Sequence, residues 1–268
     1  MDLSVTFIGN ATTLIGFGEL MLMTDPNFLH RGQHAYLGYG LVSKRLREPA
    51  LRIDELPALD AIVLSHMHGD HWDRTAQRDL DHALPILTTP HAATRLHRRG
   101  FSAATPLRTW EDKEIVKGSA KVRVTSLPGR HAPAFTWRFL PPVMGTMLEF
   151  GPADGPPQRR LYVSGDTLLV QELHQIPARF DTIDAGILHL GGTRLPAGPR
   201  LPFGLTVTMD GRQGTGLVDL LDLPRAIPVH YDDYTVFASP LSEFHAHMRR
   251  RGWGDRVVEL PRGHTVVL

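Results

Sequence analysis

The chain has 268 residues, 42% of them hydrophobic, enough to bury a full core within one large domain spanning residues 1–268. Its 29 Lys and Arg against 28 Asp and Glu leave a net charge of +1, which gives no electrostatic case for nucleic acid as a partner. Cysteine is absent, so disulfides, thiolate metal sites and a cysteine nucleophile are excluded, and any metal must be held by nitrogen and oxygen.

The N-terminus, MDLSVTFIGN, has no basic region leading into a long apolar run, and no apolar run approaches the ~20 residues of a membrane span. A soluble, cytoplasmic protein is expected. Residues 3–9, 12–17 and 20–24 are short strand-like runs punctuated by Gly, which predicts an antiparallel meander. From 26 to 58 the chain reads as a long, poorly periodic connection of the kind that borders active sites. A strand at 60–65 precedes a polar helix near 74–83, a strand at 85–89 and a helix opened by Pro90. Residues 114–127 alternate in strand fashion, strands at 145–150 and 160–165 flank a turn at 151–159, and a helix is predicted near 168–179. A strand at 183–190, a Gly/Pro-rich loop at 191–204, a helix near 213–222, a strand at 225–230 and a helix near 240–251 complete the order. This order predicts an α/β protein of two mixed β-sheets packed together, with helices on the outer faces.

The stretch AIVLSHMHGDH, residues 61–71, ends an apolar run in four metal-ligand types, His66, His68, Asp70 and His71. Alternate side chains of an extended segment point the same way, so His66 and His68 can share one metal while Asp70 and His71 turn toward another point. Three later sites repeat the pattern of a strand followed by a ligand type: His131 after VRVTSLPGR, Asp166 after RLYVSG and His230 after RAIPV. If these strand ends share one edge, His66, His68 and His131 serve one metal, and Asp70, His71 and His230 a second. Asp166 is then free to bridge them. Such donors suit zinc first, with manganese or iron as alternatives.

These residues resemble the His-x-His-x-Asp-His, His, Asp, His series of the metallo-β-lactamase-fold hydrolases, and the resemblance covers nearly the whole chain. Segments 9–15 (GNATTLI), 24–26 (TDP), 164–167 (SGDT) and 226–234 (AIPVHYDDY) are similar to one branch. That branch includes ascorbate-6-phosphate lactonases and phospholipases D acting on N-acyl phosphatidylethanolamines. The resemblance implies a four-layer αβ/βα sandwich and the seven ligands just named. It also implies that Asp25 hydrogen-bonds the ligand loop. Branch members often carry His where this chain has Asn10 and Thr208, positions that usually shape the substrate pocket. Conversely, His189 stands where Pro is expected.

Two divalent cations held this way imply metal-assisted hydrolysis by a bridging hydroxide, with Asp70 orienting it or carrying a proton. The bond attacked is a lactone, an ester or a phosphoester such as a phosphodiester or phosphotriester. His189 is a candidate catalytic group, as are Tyr231 and Asp232, which either donate a proton or merely terminate a strand. Asp73 reads as a helix N-cap, and Arg249 to Arg251 as a solvated helix end. Phe28, Tyr36, Leu37, Tyr39 and Leu41, with the stretch 133–144, either line an apolar pocket or pack as ordinary loops. The expected partner is a small-molecule substrate, with or without a lipophilic part, and a homo-oligomer is allowed. The alternatives are a metal-dependent nuclease and a metal-binding sensor or scaffold without turnover.

Overall fold

Apolar residues alternate along the strands, so each strand feeds two different cores. In the first strand Leu3, Val5 and Phe7 face one core and Ile8 another; in Ala61–Leu64, Val63 joins the first and Ile62 and Leu64 the second. The computed structural model, which describes residues 1–195 and 205–268, resolves this alternation into two sheets face to face. One sheet runs in the order Thr265–Val267, Leu3–Gly9, Thr12–Phe17, Leu20–Thr24, Ala61–Leu64, Ile86–Thr88, Ala104–Pro106. Its first four strands are antiparallel neighbours and the rest pair in parallel. The other runs Ala226–Val229, Ala185–His189, Arg159–Val163, Gly145–Pro152, Ala120–Leu127, Asp112–Lys117.

The central core, with Phe7, Ile15, Phe17, Val122, Leu148, Phe150 and Ile187, lies between the sheets. Helices α1 (Arg74–Asp79) and α2 (Pro90–His97) cover the outside of the first sheet through Ala76, Ala92, Ala93 and Leu96. Helices α3 (Gly211–Leu220) and α4 (Leu241–Arg250) cover the second through Leu217, Val218, Phe244 and Met248. The result is the expected four-layer α/β sandwich of the metallo-β-lactamase type. None of the described helices is long and apolar enough to cross a membrane.

Several elements differ from the sequence expectation. The connection at 26–58 contains a hairpin, His34–Gly38 with Leu41–Lys44, and a 3-10 turn, Ile53–Glu55. Its strands expose alternate residues over only a few positions, too short a pattern to stand out from a loop. The run 114–127 is two strands, Asp112–Lys117 and Ala120–Leu127, because Gly118 turns the chain at φ +54°. The helix expected near 168–179 is a single 3-10 turn, Gln171–Gln175, followed closely by Pro177. The strand Ala104–Pro106 was not anticipated, and α1 stops at Asp79, short of the expected 83. Of the Gly/Pro-rich loop at 191–204, residues 196–204 lie outside the described residues.

Candidate metal centre

The strands Ala120–Leu127, Arg159–Val163, Ala185–His189 and Ala226–Val229 all run in one direction, so their C-terminal ends share an edge. His131, Asp166 and His230 follow three of those ends, and His189 is the last residue of the fourth. From the facing sheet, the end of Ala61–Leu64 delivers the loop with His66, His68, Asp70 and His71.

In the first group His68 Nδ1 lies 3.0 Å from His66 Nε2 and 3.0 Å from His131 Nε2. In the second, His230 Nε2 lies 3.1 Å from His71 Nε2 and 3.3 Å from Asp70 Oδ2. Asp166 Oδ2 is 3.4 Å from His71 Nε2, and Asp166 also forms a three-residue group with His66 and His71. Within each group the donor atoms lie within 4.8 Å of one another. The Asp166 carboxylate therefore touches both sets. All seven side chains are buried, His68 the least so at 8% exposure.

His68 Nδ1 carries at most one proton, so it can donate to only one of the two nitrogens that face it at 3.0 Å, and a cation among the three would satisfy them all. Asp70 Oδ1, Asp166 Oδ1, His68 Nε2 and His230 Nδ1 are also buried without a hydrogen-bond partner. Each such orphan costs about 1–3 kcal/mol, so their concentration at one point fits a bound cation. The donor set, imidazole nitrogen and carboxylate oxygen, fits a divalent ion of the zinc, manganese or iron kind.

The outward nitrogens fix the tautomers. His131 Nδ1 faces the carbonyls of Val207 at 2.7 Å and Asp166 at 2.9 Å, so it carries the proton and leaves Nε2 free. His71 Nδ1 donates to Asp25 Oδ2 at 3.0 Å. His66 Nδ1 is 3.0 Å from Ser65 Oγ, which in turn donates to Asp25 Oδ2 at 2.8 Å. Asp25 also accepts from Ser65 N at 2.7 Å, so it orients two ligands through one carboxylate. Ser65 is a site residue that the sequence reading missed; its position directly before His66 was the available signal.

Burial pushes the imidazoles of the first group down: His66 and His131 titrate below the ordinary range, and His68 only at about 3. They are neutral and ready to ligate. Burial alone would raise Asp70, but the charge of His71 and the hydrogen bond from His230 bring it down to about 2. For His71, burial acts downward and is overcome by Asp166, Asp70 and Asp25, which together raise it.

Asn10 and Thr208, expected to shape the substrate pocket, instead touch the ligands. Asn10 Nδ2 donates to the Asp70 carbonyl at 2.6 Å, and its own carbonyl accepts from His230 N at 2.9 Å. Thr208 Oγ1 donates to Asp166 Oδ2 at 2.9 Å. His189 is fully buried behind the ligands, its Nδ1 3.2 Å from Ser164 Oγ and its ring 5.4 Å from that of His230. Burial lowers it to about 4. The Tyr231 hydroxyl, raised to about 12 by burial and Asp232, makes no hydrogen bond to any of the seven ligands. Asp232 is engaged instead by Arg262 and Arg47. Asp73 caps α1 as expected, accepting from Ala76 N, and also accepts from Leu29 N at 2.6 Å. Arg251 is not simply solvated: it pairs with Asp219 and stacks on Trp253.

A cavity of about 760 Å³ opens beside His68, walled by the hairpin, α1, α2 and residues 138–142. Tyr36, Leu37 and Tyr39 line it as expected, whereas Phe28 is in the core and Leu41 packs against Tyr234 and its neighbours.

A family model described as a β-lactamase superfamily domain matches residues 25–231. A Deinococcus radiodurans protein named a metal-dependent hydrolase is 28% identical over 96% of both chains. An N-acyl-phosphatidylethanolamine-hydrolyzing phospholipase D of Caenorhabditis elegans is 28% identical over 48% of this chain, a match spanning only 38% of that enzyme. Among solved structures, a possible metal-dependent hydrolase from Veillonella parvula superposes with a TM-score of 0.81 at 21% identity, covering 100% of both chains. With that match and the buried His/Asp groups, the chain belongs to the β-lactamase superfamily domain family and is a metal-dependent hydrolase of the metallo-β-lactamase fold.

Proposed function

We propose that the chain is a binuclear hydrolase of small lactones, esters or phosphoesters, with zinc as the first choice of metal and manganese or iron as alternatives. The observation that carries this reading is the Asp166 carboxylate, which groups with His66 of one donor set and His71 of the other and lies 3.4 Å from His71 Nε2. His66, His68 and His131 would hold one cation, Asp70, His71 and His230 the other, and Asp166 both. Such a pair of cations supplies a nucleophilic water at neutral pH, by lowering its pKa from about 15.7 to near 7, and polarises the bond under attack.

The chain's own residues have distinct parts. Asp70 keeps Oδ1 unpaired while Oδ2 faces His230, so it can orient water or take a proton at Oδ1. Asp25 and Ser65 hold His66 and His71 in the ligating tautomer, and Thr208 anchors Asp166. His189 acts by positioning: it is buried away from the cavity, which favours support of the His71 and His230 rings over contact with substrate. Tyr231, next in the chain to His230, is the remaining candidate for orienting substrate. The nematode relative is named for hydrolysing N-acyl-phosphatidylethanolamine, and this, with the cavity beside His68, supports a small-molecule substrate.

The test is a panel of chromogenic lactone, ester, phosphodiester and phosphotriester substrates, assayed on metal-loaded protein and on His66→Ala. Turnover in the wild type, lost by at least about a hundredfold in the variant, is expected. A protein holding two metals that turns over none of them is instead a sensor or scaffold, and turnover of nucleic acid alone makes it a nuclease.

A further inference from the structure

The wall of the cavity opposite the hairpin is basic. Arg95 lies on the last turn of α2 and Arg99 in the turn that follows it, close enough for their charges to act on each other, and both line the cavity that reaches His68. Two guanidinium charges placed close together repel. Many surface arginines of this chain resolve such tension with a carboxylate, as Arg78 does with Asp79, Arg108 with Glu111 and Arg123 with Glu114. Arg95 and Arg99 have no such partner among the described residues. Partial burial, and then the charge of Arg95, hold the Arg99 guanidinium below its ordinary range.

Three further features point the same way. Arg74 and Arg138 line the same space, and among the described residues Arg74 spends one donor, on the His34 carbonyl at 3.0 Å. The carboxylate that borders the cavity, Asp73, is already consumed by the amides of Ala76 and Leu29. His91, on the first turn of α2, points a buried Nδ1 with no partner from the same wall. The guanidiniums of Arg74, Arg95 and Arg99, which have no carboxylate partner among the described residues and stand beside a reaction centre, match the planar oxygens of a carboxylate or phosphate.

We propose that this cavity is an anion-binding subsite, in which Arg95 and Arg99, with Arg74, grip a carboxylate or phosphate on the part of the substrate that does not react. The proposal rests on the hydrolase reading and narrows it to anionic small molecules. The exposed rings of Tyr36, Tyr39 and Phe139 on the opposite side leave an apolar flank for the carbon skeleton.

The experiment uses metal-loaded protein and 4-nitrophenyl esters of one chain length that end in a methyl group, a carboxylate or a phosphate. The wild type is expected to prefer an anionic ester by at least about tenfold in kcat/KM, expressed in KM, with the larger preference naming the headgroup. The double variant Arg95→Ala, Arg99→Ala should erase that preference and leave the neutral ester within about twofold. An unchanged preference, or equal loss on neutral and anionic esters, overturns the proposal. If no ester is turned over, the ester arm of the hydrolase reading fails, and phenyl phosphate titrated calorimetrically into both metal-loaded proteins decides the subsite. Affinity at least about tenfold weaker in the double variant supports it, and equal affinity overturns it.

Discussion

Asn10 carries more of the metal centre than its residue type suggested. It sits at φ 54°, a left-handed conformation that Asn tolerates, and from there its side chain and backbone connect the Asp70 loop to the His230 loop. His230 is also left-handed, at φ 60°, so both ends of this link are held in uncommon backbone states. Asn10→Gly keeps the backbone accessible and removes only the bond to the Asp70 carbonyl. It is expected to cost about 1–3 kcal/mol in urea unfolding and to weaken metal binding at the Asp70 group about 10–100-fold. Unchanged stability and affinity would show that the link is incidental. The seven candidate ligands were legible because they follow apolar strands and a chain without Cys leaves only His and carboxylate side chains to bind metal. Asn10, Thr208 and Ser65 were less so, because their roles depend on contacts across 60, 42 and 40 sequence positions; only Ser65 gave a local signal, by standing directly before His66.

At the scale of elements, the hairpin His34–Gly38 with Leu41–Lys44 is the part that a sequence reading loses and the site needs. Its backbone lies directly on the ligand loop: Gly69 N donates to Tyr36 O at 3.0 Å, and a Cβ at Gly69 would stand 2.6 Å from that oxygen and 2.8 Å from Tyr36 N. Gly is therefore required between His68 and Asp70 by close approach of a second backbone. Gly69→Ala must push the hairpin away or shift the loop, at a cost of about 1–3 kcal/mol. Because Gly69 separates ligands of the two groups, metal titration should show weaker binding at both. Wild-type affinity with an undisturbed unfolding midpoint would mean that the hairpin yields freely. The buried Arg45 at the hairpin's end ties the same element to Asn27 and Asp233, which explains how a long connection is held in place. Strong strands such as Leu3–Gly9 and Ala226–Val229 were legible through their apolar runs. The 3-10 turn Gln171–Gln175 was not, since its composition permits a helix and only Pro177 and packing end it.

Across the whole molecule, two sheets deliver strand ends to one edge, and the centre forms where those ends meet. Sheet order brings His66 and His230, 164 positions apart, into one site; the layer arrangement was legible from element order, while the register that sets 3.0 Å contacts came only from packing. Because the ligands come from both sheets, bound metal acts as a cross-link, and it stabilises the fold to the extent that it binds only the folded chain. The central claim is that Asp166 makes two metal positions into one centre. The most direct test is metal content per chain, measured by inductively coupled plasma mass spectrometry after reloading and dialysis, for the wild type and for Asp166→Ala. Two divalent ions per wild-type chain, falling below one in the variant, are expected. One ion or none in the wild type, or a variant that still holds two, would contradict the account.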